Sequence, residues 1–163
     1  VIRTRSEKSQ EVFDSVRGEW VAATPEEIVR QKRIHFMIEE LGYPKHFLSV
    51  EKTLKEVPHL QLYGPKIPDR RADIICFAKE IHPQHALYPL LVVECKSVKI
   101  TEKVLNQVEG YNHYLKSCFV AVANEEELRT GWFDPSLGKY QYVDFFPKYS
   151  ELKLSVSTSL VEK

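Results

Sequence analysis

The residues best suited to chemistry stand at the end of an apolar strand. Residues 90–93 are uniformly aliphatic, and Glu94, Cys95 and Lys96 follow them directly. Because side chains alternate along a strand, Glu94 and Lys96 project to the same side while Cys95 turns into the opposite layer. A carboxylate and an ammonium group therefore converge at one strand end.

A second carboxylate comes from the preceding apolar run. Asp73 stands at the entrance to residues 74–77, which read Ile-Ile-Cys-Phe. If the two runs pair as a hairpin, Asp73 near the start of one strand lies beside Glu94 near the end of the next. Charged groups at the ends of buried strands are costly unless they pair or bind a metal, and clustered ionisable groups are often functional.

Two carboxylates beside a lysine suit phosphodiester hydrolysis assisted by Mg²⁺, with Mn²⁺ as an alternative. Such a cation prefers oxygen ligands and keeps several waters, so Asp73, Glu94 and the backbone carbonyl of Cys95 suit it together with a substrate phosphate. Lys96 would orient the attacking water or neutralise developing charge. The structural alternative stays open, because an isolated Glu-x-Lys triplet is most often an ion pair and Asp73 can simply begin a strand.

Capping residues and periodicity predict the elements that position these groups. Thr24, Pro25 and Glu27 predict a helix start with a capping box, and Gly42 ends the helix. The inward stripe of this helix is predicted as Ile28, Gln31, Ile34, His35, Ile38 and Leu41, with Glu27 within that face. Strands follow at residues 47–51, 71–78 and 88–96, then a helix at about 101–116 and a strand at 118–123. The order of helix, three strands, helix and strand predicts an α/β sheet flanked by helices.

Turn residues predict a β-hairpin at each end of this core. Asp14 to Gly18 and Asp134 to Gly138 have the same pattern, in which the Asp begins a turn and the Gly takes a positive φ. We therefore predict a hairpin extension over residues 1–23, a core domain over residues 24–147 and a C-terminal tail over residues 148–163.

The composition describes one folded domain with balanced charge. The chain has 163 residues, 43% of them hydrophobic, and Lys plus Arg equals Asp plus Glu at 23 each. Any phosphate-binding surface must therefore be local, because a protein that coats nucleic acid usually carries a basic excess. No apolar run approaches the roughly 20 residues of a membrane span. We expect a cytoplasmic protein without membrane association, and Cys76, Cys95 and Cys118 as buried thiols in a reducing compartment.

The motifs resemble those of a known nuclease superfamily. Asp73, the Glu94-Cys95-Lys96 triplet and Gln107-x-x-x-Tyr111 are similar to the D…ExK…QxxxY signature of PD-(D/E)xK nucleases. The wider pattern comprises Thr24-Pro25-Glu26-Glu27-x-x-Arg30-Gln31, Leu41-Gly42-Tyr43-Pro44, Val50-Glu51 and Arg71-Ala72-Asp73. Over residues 12–147 it resembles the nuclease domain at the N-terminus of type I restriction enzyme R subunits, including small stand-alone relatives. The resemblance implies a restriction-endonuclease-like core and Mg²⁺-dependent cleavage of DNA.

The resemblance also implies roles for individual residues. Asp73 and Glu94 would bind metal, and Lys96 would assist the attacking water. Gln107 and Tyr111 lie one helical turn apart, and relatives use these positions to support substrate or metal. The superfamily also places a Glu on the first helix. Glu27 fits that role and fits a capping box equally well, and Glu51 is a weaker candidate.

The resemblance further bears on partners. R subunits join this domain to an ATP-driven motor, whereas these 163 residues contain no G-x-x-x-x-G-K-[ST] loop. We expect DNA as the substrate, motor or specificity subunits as partners, and a homodimer as one arrangement. Lys66, Arg70 and Arg71 could contact phosphate near Asp73, or remain solvated loop charges. His82 and His85 are too sparse a pair to predict zinc. The alternative function is a non-catalytic nucleic-acid-binding or interaction module with the same fold.

Overall fold

The chain folds as a mixed α/β structure around a six-stranded sheet. The computed structural model describes residues 2–3 and 10–161, without the side chains of residues 62, 63, 65 and 158–161. Its elements are β1 (Glu11–Asp14), β2 (Glu19–Ala22), α1 (Pro25–Glu39), β3 (Leu48–Thr53), β4 (Arg71–Lys79), β5 (Leu87–Cys95), α2 (Glu102–Leu115), β6 (Phe119–Ala123), β7 (Leu128–Asp134), β8 (Lys139–Val143) and α3 (Tyr149–Val161). Parts of the predicted extension and tail, residues 1, 4–9 and 162–163, lie outside the described residues.

The predicted order of core elements is observed. Helix α1, strands β3 to β5, helix α2 and strand β6 follow one another along the chain. The sheet has the order β3-β4-β5-β6-β7-β8, and its neighbouring strands are antiparallel except for the parallel pair β5 and β6. A parallel pair needs a crossover connection, which α2 supplies.

Helices cover both faces of the sheet, which explains the aliphatic character of β5. Val29, Ile34 and Met37 of α1 pack in one core cluster with Leu91 and Val93. Val108, Tyr111 and Leu115 of α2 pack in the other cluster with Val92 and Val122. Because β5 contributes Leu90, Leu91 and Val93 to one cluster and Val92 to the other, residues 90–93 are fully buried.

Helix α1 begins where predicted, with half of the predicted capping box. The side chain of Thr24 accepts a hydrogen bond from the Glu27 amide at 3.2 Å, and Pro25 occupies the first turn. The reciprocal bond is absent from this pair, because the Thr24 amide donates to the carbonyl of Ala22. The Glu27 carboxylate is thereby available for other partners.

The buried face of α1 differs from the predicted stripe. His35 is exposed and Ile38 is only half-buried, whereas Val29, Arg30 and Met37 are buried. The prediction followed apolar periodicity alone. The structure instead turns a charged residue inward, because Arg30 finds carboxylate partners there.

Both predicted hairpins form, and Gly18 and Gly138 take the expected positive φ values of 71° and 65°. Strands β1 and β2 make a separate two-stranded sheet, whereas β7 and β8 extend the main sheet. At the first turn, the Asp14 carboxylate accepts hydrogen bonds from the amides of Val16 and Arg17 at 2.8 and 3.0 Å. The turn is therefore held by its own side chain.

The C-terminal segment contains a helix where the sequence predicted only a tail. Helix α3 packs Leu152, which is 4% exposed, into the same cluster as α1, with Tyr149 and Val156 partly buried beside it. The Tyr149 amide donates to the carbonyl of Leu41 at 3.1 Å. Across the described residues, no helix is both long enough and apolar enough to cross a membrane.

Candidate active site

Asp73 and Glu94 meet at the ends of adjacent antiparallel strands. The register of β4 and β5 pairs Ile74 with Val93, so the next position outward places Asp73 opposite Glu94. The Cys95 amide donates a hydrogen bond to Asp73 Oδ2 at 2.8 Å. The predicted hairpin pairing is therefore confirmed, and it brings the two carboxyl groups together.

Glu94 is buried with an unsatisfied oxygen. The residue is 8% exposed, and among the described atoms its Oε1 has no hydrogen-bond partner. Burial first, and then the charge of Asp73, raise the pKa of Glu94 above its ordinary value, while Lys96 and Arg70 act in the opposite direction. A buried carboxyl oxygen without a partner is costly unless a proton or a cation completes its environment.

Arg30 binds the other carboxylate from helix α1. Its Nη2 donates to Asp73 Oδ1 at 2.7 Å, and the residue is 6% exposed. Burial opposes its charge, but Asp73 and Glu27 outweigh that effect and raise the pKa of Arg30. No role for Arg30 was predicted from the sequence, although Arg30 belongs to the family-like pattern at residues 24–31. Its spacing of three residues from Glu27 makes the two neighbours on the helix surface.

The Glu27 carboxylate binds the arginines that surround it. It accepts from Arg17 at 2.7 Å, from Arg30 at 3.0 Å and from Gln31 at 3.2 Å. Arg30 therefore links Glu27 to Asp73, and the described contacts of Glu27 include neither Asp73 nor Glu94. A direct role for Glu27 in the site stays a prediction.

Glu51 occupies a strained backbone position opposite Asp73. The register of β3 and β4 pairs Val50 with Ile74 and Lys52 with Ala72, which leaves Glu51 facing Asp73. Glu51 has a φ of 53°, a left-handed conformation that is uncommon for residues other than glycine. This break in strand alternation is why sequence could not predict the direction of its side chain.

Tyr111 approaches the site from α2. Its ring is buried, and no described atom accepts or donates a hydrogen bond at its hydroxyl. Burial and the nearby Glu94 raise the pKa of Tyr111. The Arg70 guanidinium lies 5.2 Å from the centre of the Tyr111 ring. Lys96 is half-buried next to Glu94, whereas Gln107, one turn before Tyr111, is exposed.

The remaining candidate residues fall into two groups. Lys66 and Arg71 are exposed, as solvated or phosphate-binding cations would be. The three cysteines are free thiols, of which Cys76 and Cys95 are buried and Cys118 is half-buried. Burial raises the pKa of all three, so they are unreactive packing residues.

His59, His82 and His85 form an aromatic cluster with Tyr88. The ring centres of His82 and His85 are 4.8 Å apart, and His59 and His82 lie 4.8 and 4.5 Å from Tyr88. His59 Nε2 is 2.7 Å from the Leu115 carbonyl oxygen. In the part of the chain that the structure describes, no group of three or more His, Cys, Asp or Glu side chains is placed to hold a metal ion. A cation at Asp73 and Glu94 would thus draw its other ligands from backbone and water.

Fold and site together define a class: an α/β domain with two carboxyl groups and a lysine at the end of its central hairpin. Residues 25–147 match the family described as type I restriction enzyme R protein N terminus (HSDR_N). The match covers most of the chain, so the chain belongs to this family, and the resemblance inferred from the motifs is confirmed. Neither the curated proteins nor the solved structures provide a match.

Proposed function

We propose that this chain is a metal-dependent nuclease domain of a restriction system that hydrolyses phosphodiester bonds in DNA. The observation that carries the proposal is the pairing of Asp73 with Glu94, whose buried Oε1 has no partner among the described atoms. Family membership supports a nuclease role in restriction. The order of helix, three strands, helix and strand supports a restriction-endonuclease-like core of the PD-(D/E)xK type.

The groups at the strand ends fit a hard divalent cation. Asp73, Glu94 and the Cys95 carbonyl offer oxygen atoms, which Mg²⁺ and Mn²⁺ prefer, and leave positions for water and a substrate phosphate. When bound, the cation would stabilise charge on the phosphate and lower the pKa of a bound water. A set with two carboxylates is in keeping with the preference of Mg²⁺ to retain several waters.

The surrounding side chains have separate roles in the proposed reaction. Lys96, on the same side of β5 as Glu94, orients the attacking water or neutralises the developing charge. Arg70, held over the Tyr111 ring, is placed to bind the scissile phosphate or a neighbouring one. Arg30 fixes the orientation of Asp73. Gln107 would act from its exposed position only once DNA is bound.

The proposal extends to partners and place of action. These 163 residues contain no ATP-binding loop, so DNA translocation would come from a motor in another domain or subunit, with a specificity subunit selecting the site. A second copy of the chain would allow both DNA strands to be cut. Restriction of invading DNA would place the protein in the cytoplasm.

Cleavage assays test the proposal directly. Purified chain is incubated with plasmid, linear duplex and single-stranded DNA, with Mg²⁺, Mn²⁺ or EDTA. We expect metal-dependent cleavage that falls by about 100-fold or more in Asp73→Asn, Glu94→Gln and Lys96→Met, since these changes remove charge at the reacting centre. Lys99→Met, a change at an exposed lysine in the following loop, is the matched control and should retain activity.

A second function, a non-catalytic nucleic-acid-binding module, is favoured by one observation. Both oxygens of Asp73 already accept hydrogen bonds, from Arg30 at 2.7 Å and from the Cys95 amide at 2.8 Å. This arrangement resembles a satisfied structural carboxylate. DNA binding without cleavage under every metal condition would support this module and refute the nuclease.

A further inference from the structure

A closed ring of alternating charges joins the N-terminal hairpin to the candidate site. We call Arg17, Glu27, Arg30 and Glu51 the arginine–glutamate ring. Arg17 contacts Glu27 at 2.7 Å and Glu51 at 3.1 Å, and Arg30 contacts Glu27 at 3.0 Å and Glu51 at 3.2 Å. Each glutamate therefore bridges both arginines, and each arginine bridges both glutamates.

Two aspartates extend the ring in opposite directions. Asp14, which is fully buried in the hairpin turn, binds Arg17, and Asp73, at the start of β4, binds Arg30. Burial opposes ionisation of Asp14, but hydrogen bonds from the Arg17 amide and side chain outweigh it and lower the pKa of Asp14. The ring thus lies between a firmly held charge in the hairpin and a carboxylate of the candidate site.

Arg17 uses its whole guanidinium group in this arrangement. Nε binds Asp14, Nη2 binds Glu27 and Nη1 binds Glu51, so three nitrogens hold three different carboxylates. The planar fork of arginine permits this, whereas a lysine ammonium is a single point charge on a flexible stem. A lysine at position 17 would therefore keep the positive charge but lose the hydrogen bonds to three separate carboxylates.

The ring also secures the strained residue that faces Asp73. Glu51 has its left-handed φ of 53° opposite Asp73, and its carboxylate is bound by Arg17 and Arg30. Backbone strain of this kind is unfavourable and persists only where surrounding contacts maintain it. The two arginines provide those contacts.

We propose that Arg17 is a positioning residue for the Asp73 carboxylate, acting through Glu27, Glu51 and Arg30. The hairpin that carries Arg17 is then part of the working site, although it precedes the family match at residues 25–147. The inference rests on the proposed function only for the statement that Asp73 is a metal ligand. The energetic coupling between Arg17 and Asp73 can be measured without metal.

A double-mutant cycle measures this coupling. Urea unfolding in EDTA is compared for wild type, Arg17→Lys, Asp73→Asn and the double variant. Because Asp73 anchors the far side of the ring, we expect Arg17→Lys to raise the unfolding equilibrium constant by a factor at least about threefold larger with Asp73 than with Asn at that position. Effects that agree within about twofold in both backgrounds would overturn the proposal, since separate sites add.

Two further variants make the cycle decisive. Glu19→Gln changes an exposed charge in the same hairpin and should show no coupling to Asp73→Asn. If Arg17→Lys does not fold, Glu51→Gln opens the ring at its most accessible member, whose side chain is 38% exposed, and the same cycle is measured with it. Additivity in that second cycle would equally reject the proposal.

Mn²⁺ titration separates failure of this inference from failure of the proposed function. We expect Arg17→Lys to weaken Mn²⁺ binding by about threefold to tenfold. This effect is smaller than that of removing a side chain which contacts a metal ligand directly, because Arg17 acts through intermediate residues. Equal affinity of wild type and Arg17→Lys would overturn the positioning role. If wild type binds no Mn²⁺, the proposed function fails, and the unfolding cycle alone decides whether Arg17 positions Asp73.

Discussion

At the scale of single residues, the two paired carboxyl groups have unequal surroundings. Asp73 accepts from Arg30 and from a backbone amide, whereas Glu94 Oε1 has no partner among the described atoms. Burial and the neighbouring Asp73 raise the pKa of Glu94. Glu94 is therefore the member of the pair whose charge is less well compensated.

Glu94 should therefore make the metal-free protein less stable as the pH rises. Its folded pKa lies above its ordinary value of 4.5, so above that pH the folded state binds more protons than the unfolded state. We expect Glu94→Gln to remove this decline and to raise the free energy of unfolding by about 1–2 kcal/mol at pH 8. Urea unfolding between pH 5 and 8 in EDTA measures it. An unchanged pH dependence in Glu94→Gln, compared with the exposed control Glu19→Gln, would contradict the assignment.

Tyr111 provides a test that separates function from stability. Its hydroxyl is buried without a described partner, so Tyr111→Phe removes an unsatisfied group and should leave the free energy of unfolding unchanged within about 0.5 kcal/mol. We expect DNA cleavage to fall at least about tenfold if the hydroxyl serves substrate or metal-bound water.

Tyr142→Phe is the matched control for that change. The Tyr142 hydroxyl donates a hydrogen bond at 2.9 Å to Oε2 of Glu109, which lies on α2 as Tyr111 does. Removing this hydroxyl should lower the free energy of unfolding by about 1 kcal/mol and leave cleavage intact. A loss of stability in Tyr111→Phe equal to that in Tyr142→Phe would show that Tyr111 has a structural partner.

Residue types at strand ends could be predicted from the sequence, but the arginine contacts could not. Glu94 and Lys96 follow an aliphatic run, and strand alternation places them on one side. Arg17 and Arg30 reach the site through contacts between residues far apart in the chain. Glu51 departs from strand geometry altogether, so no periodicity could locate its carboxylate.

At the scale of elements, local capping interactions determine where helices begin, and tertiary contacts determine which face of each helix is buried. Thr24 and Thr101 cap α1 and α2, and both starts were predicted from the sequence. The buried face of α1 was not, because Arg30 and Glu27 are buried by pairing with each other and with partners outside the helix. Apolar periodicity detects only faces buried by the hydrophobic effect.

The histidine cluster should make stability depend on pH in the acidic range. Burial, together with His85, His82 and Lys116, lowers the pKa of His59, although its bond to the Leu115 carbonyl acts in the opposite direction. The unfolded state then binds more protons, so stability is full above the ordinary value of 6.5 and is lost as the pH falls below it.

We expect His59→Gln to reduce this loss between pH 6.5 and 5, because glutamine can still donate to the Leu115 carbonyl but does not titrate. Thermal unfolding across that range measures the difference. His113→Gln, an exposed histidine on α2, is the control. Identical pH profiles for His59→Gln and wild type would show that His59 is not the titrating group.

At the scale of the whole molecule, neutral overall charge and a local basic set predict weak, salt-dependent DNA binding. Lys66 and Arg70 precede β4, Arg71 is its first residue and Lys96 follows β5, so all four lie at the same end of the central hairpin. Each phosphate neutralised contributes about −0.9 to the slope of log K against log salt, which gives roughly −3 for three or four contacts. Fluorescence anisotropy with labelled duplex and Ca²⁺ measures this slope.

Substitution of the basic set tests where DNA binds. Arg70→Gln combined with Arg71→Gln should bring the slope closer to zero by about 2. Lys148→Gln, at an exposed lysine beside α3, should leave it unchanged. A slope near roughly −8 in wild type would indicate an extended basic surface elsewhere.

The central architecture was predictable because each element has its own caps, turns or apolar runs. The helical character of the C-terminal segment was missed because α3 is defined by packing of Leu152 and Tyr149 against the core formed by earlier elements. Integration of β7 and β8 into the main sheet likewise depends on pairing with β6. Such contacts arise only when the whole chain is assembled.

The antiparallel pairing of β4 with β5 also influences the order of folding. These strands are consecutive in the chain, whereas β5 and β6 pair only after the α2 crossover is in place. Short loops close at a lower entropic cost and hairpins form within about 1–10 μs, so we expect Asp73 and Glu94 to meet before the α2 crossover is in place. At a pH above the raised pKa of Glu94, where both carboxyl groups are charged, their repulsion would act on the folding transition state. Stopped-flow folding in EDTA at that pH should then show that Glu94→Gln speeds folding more than it slows unfolding.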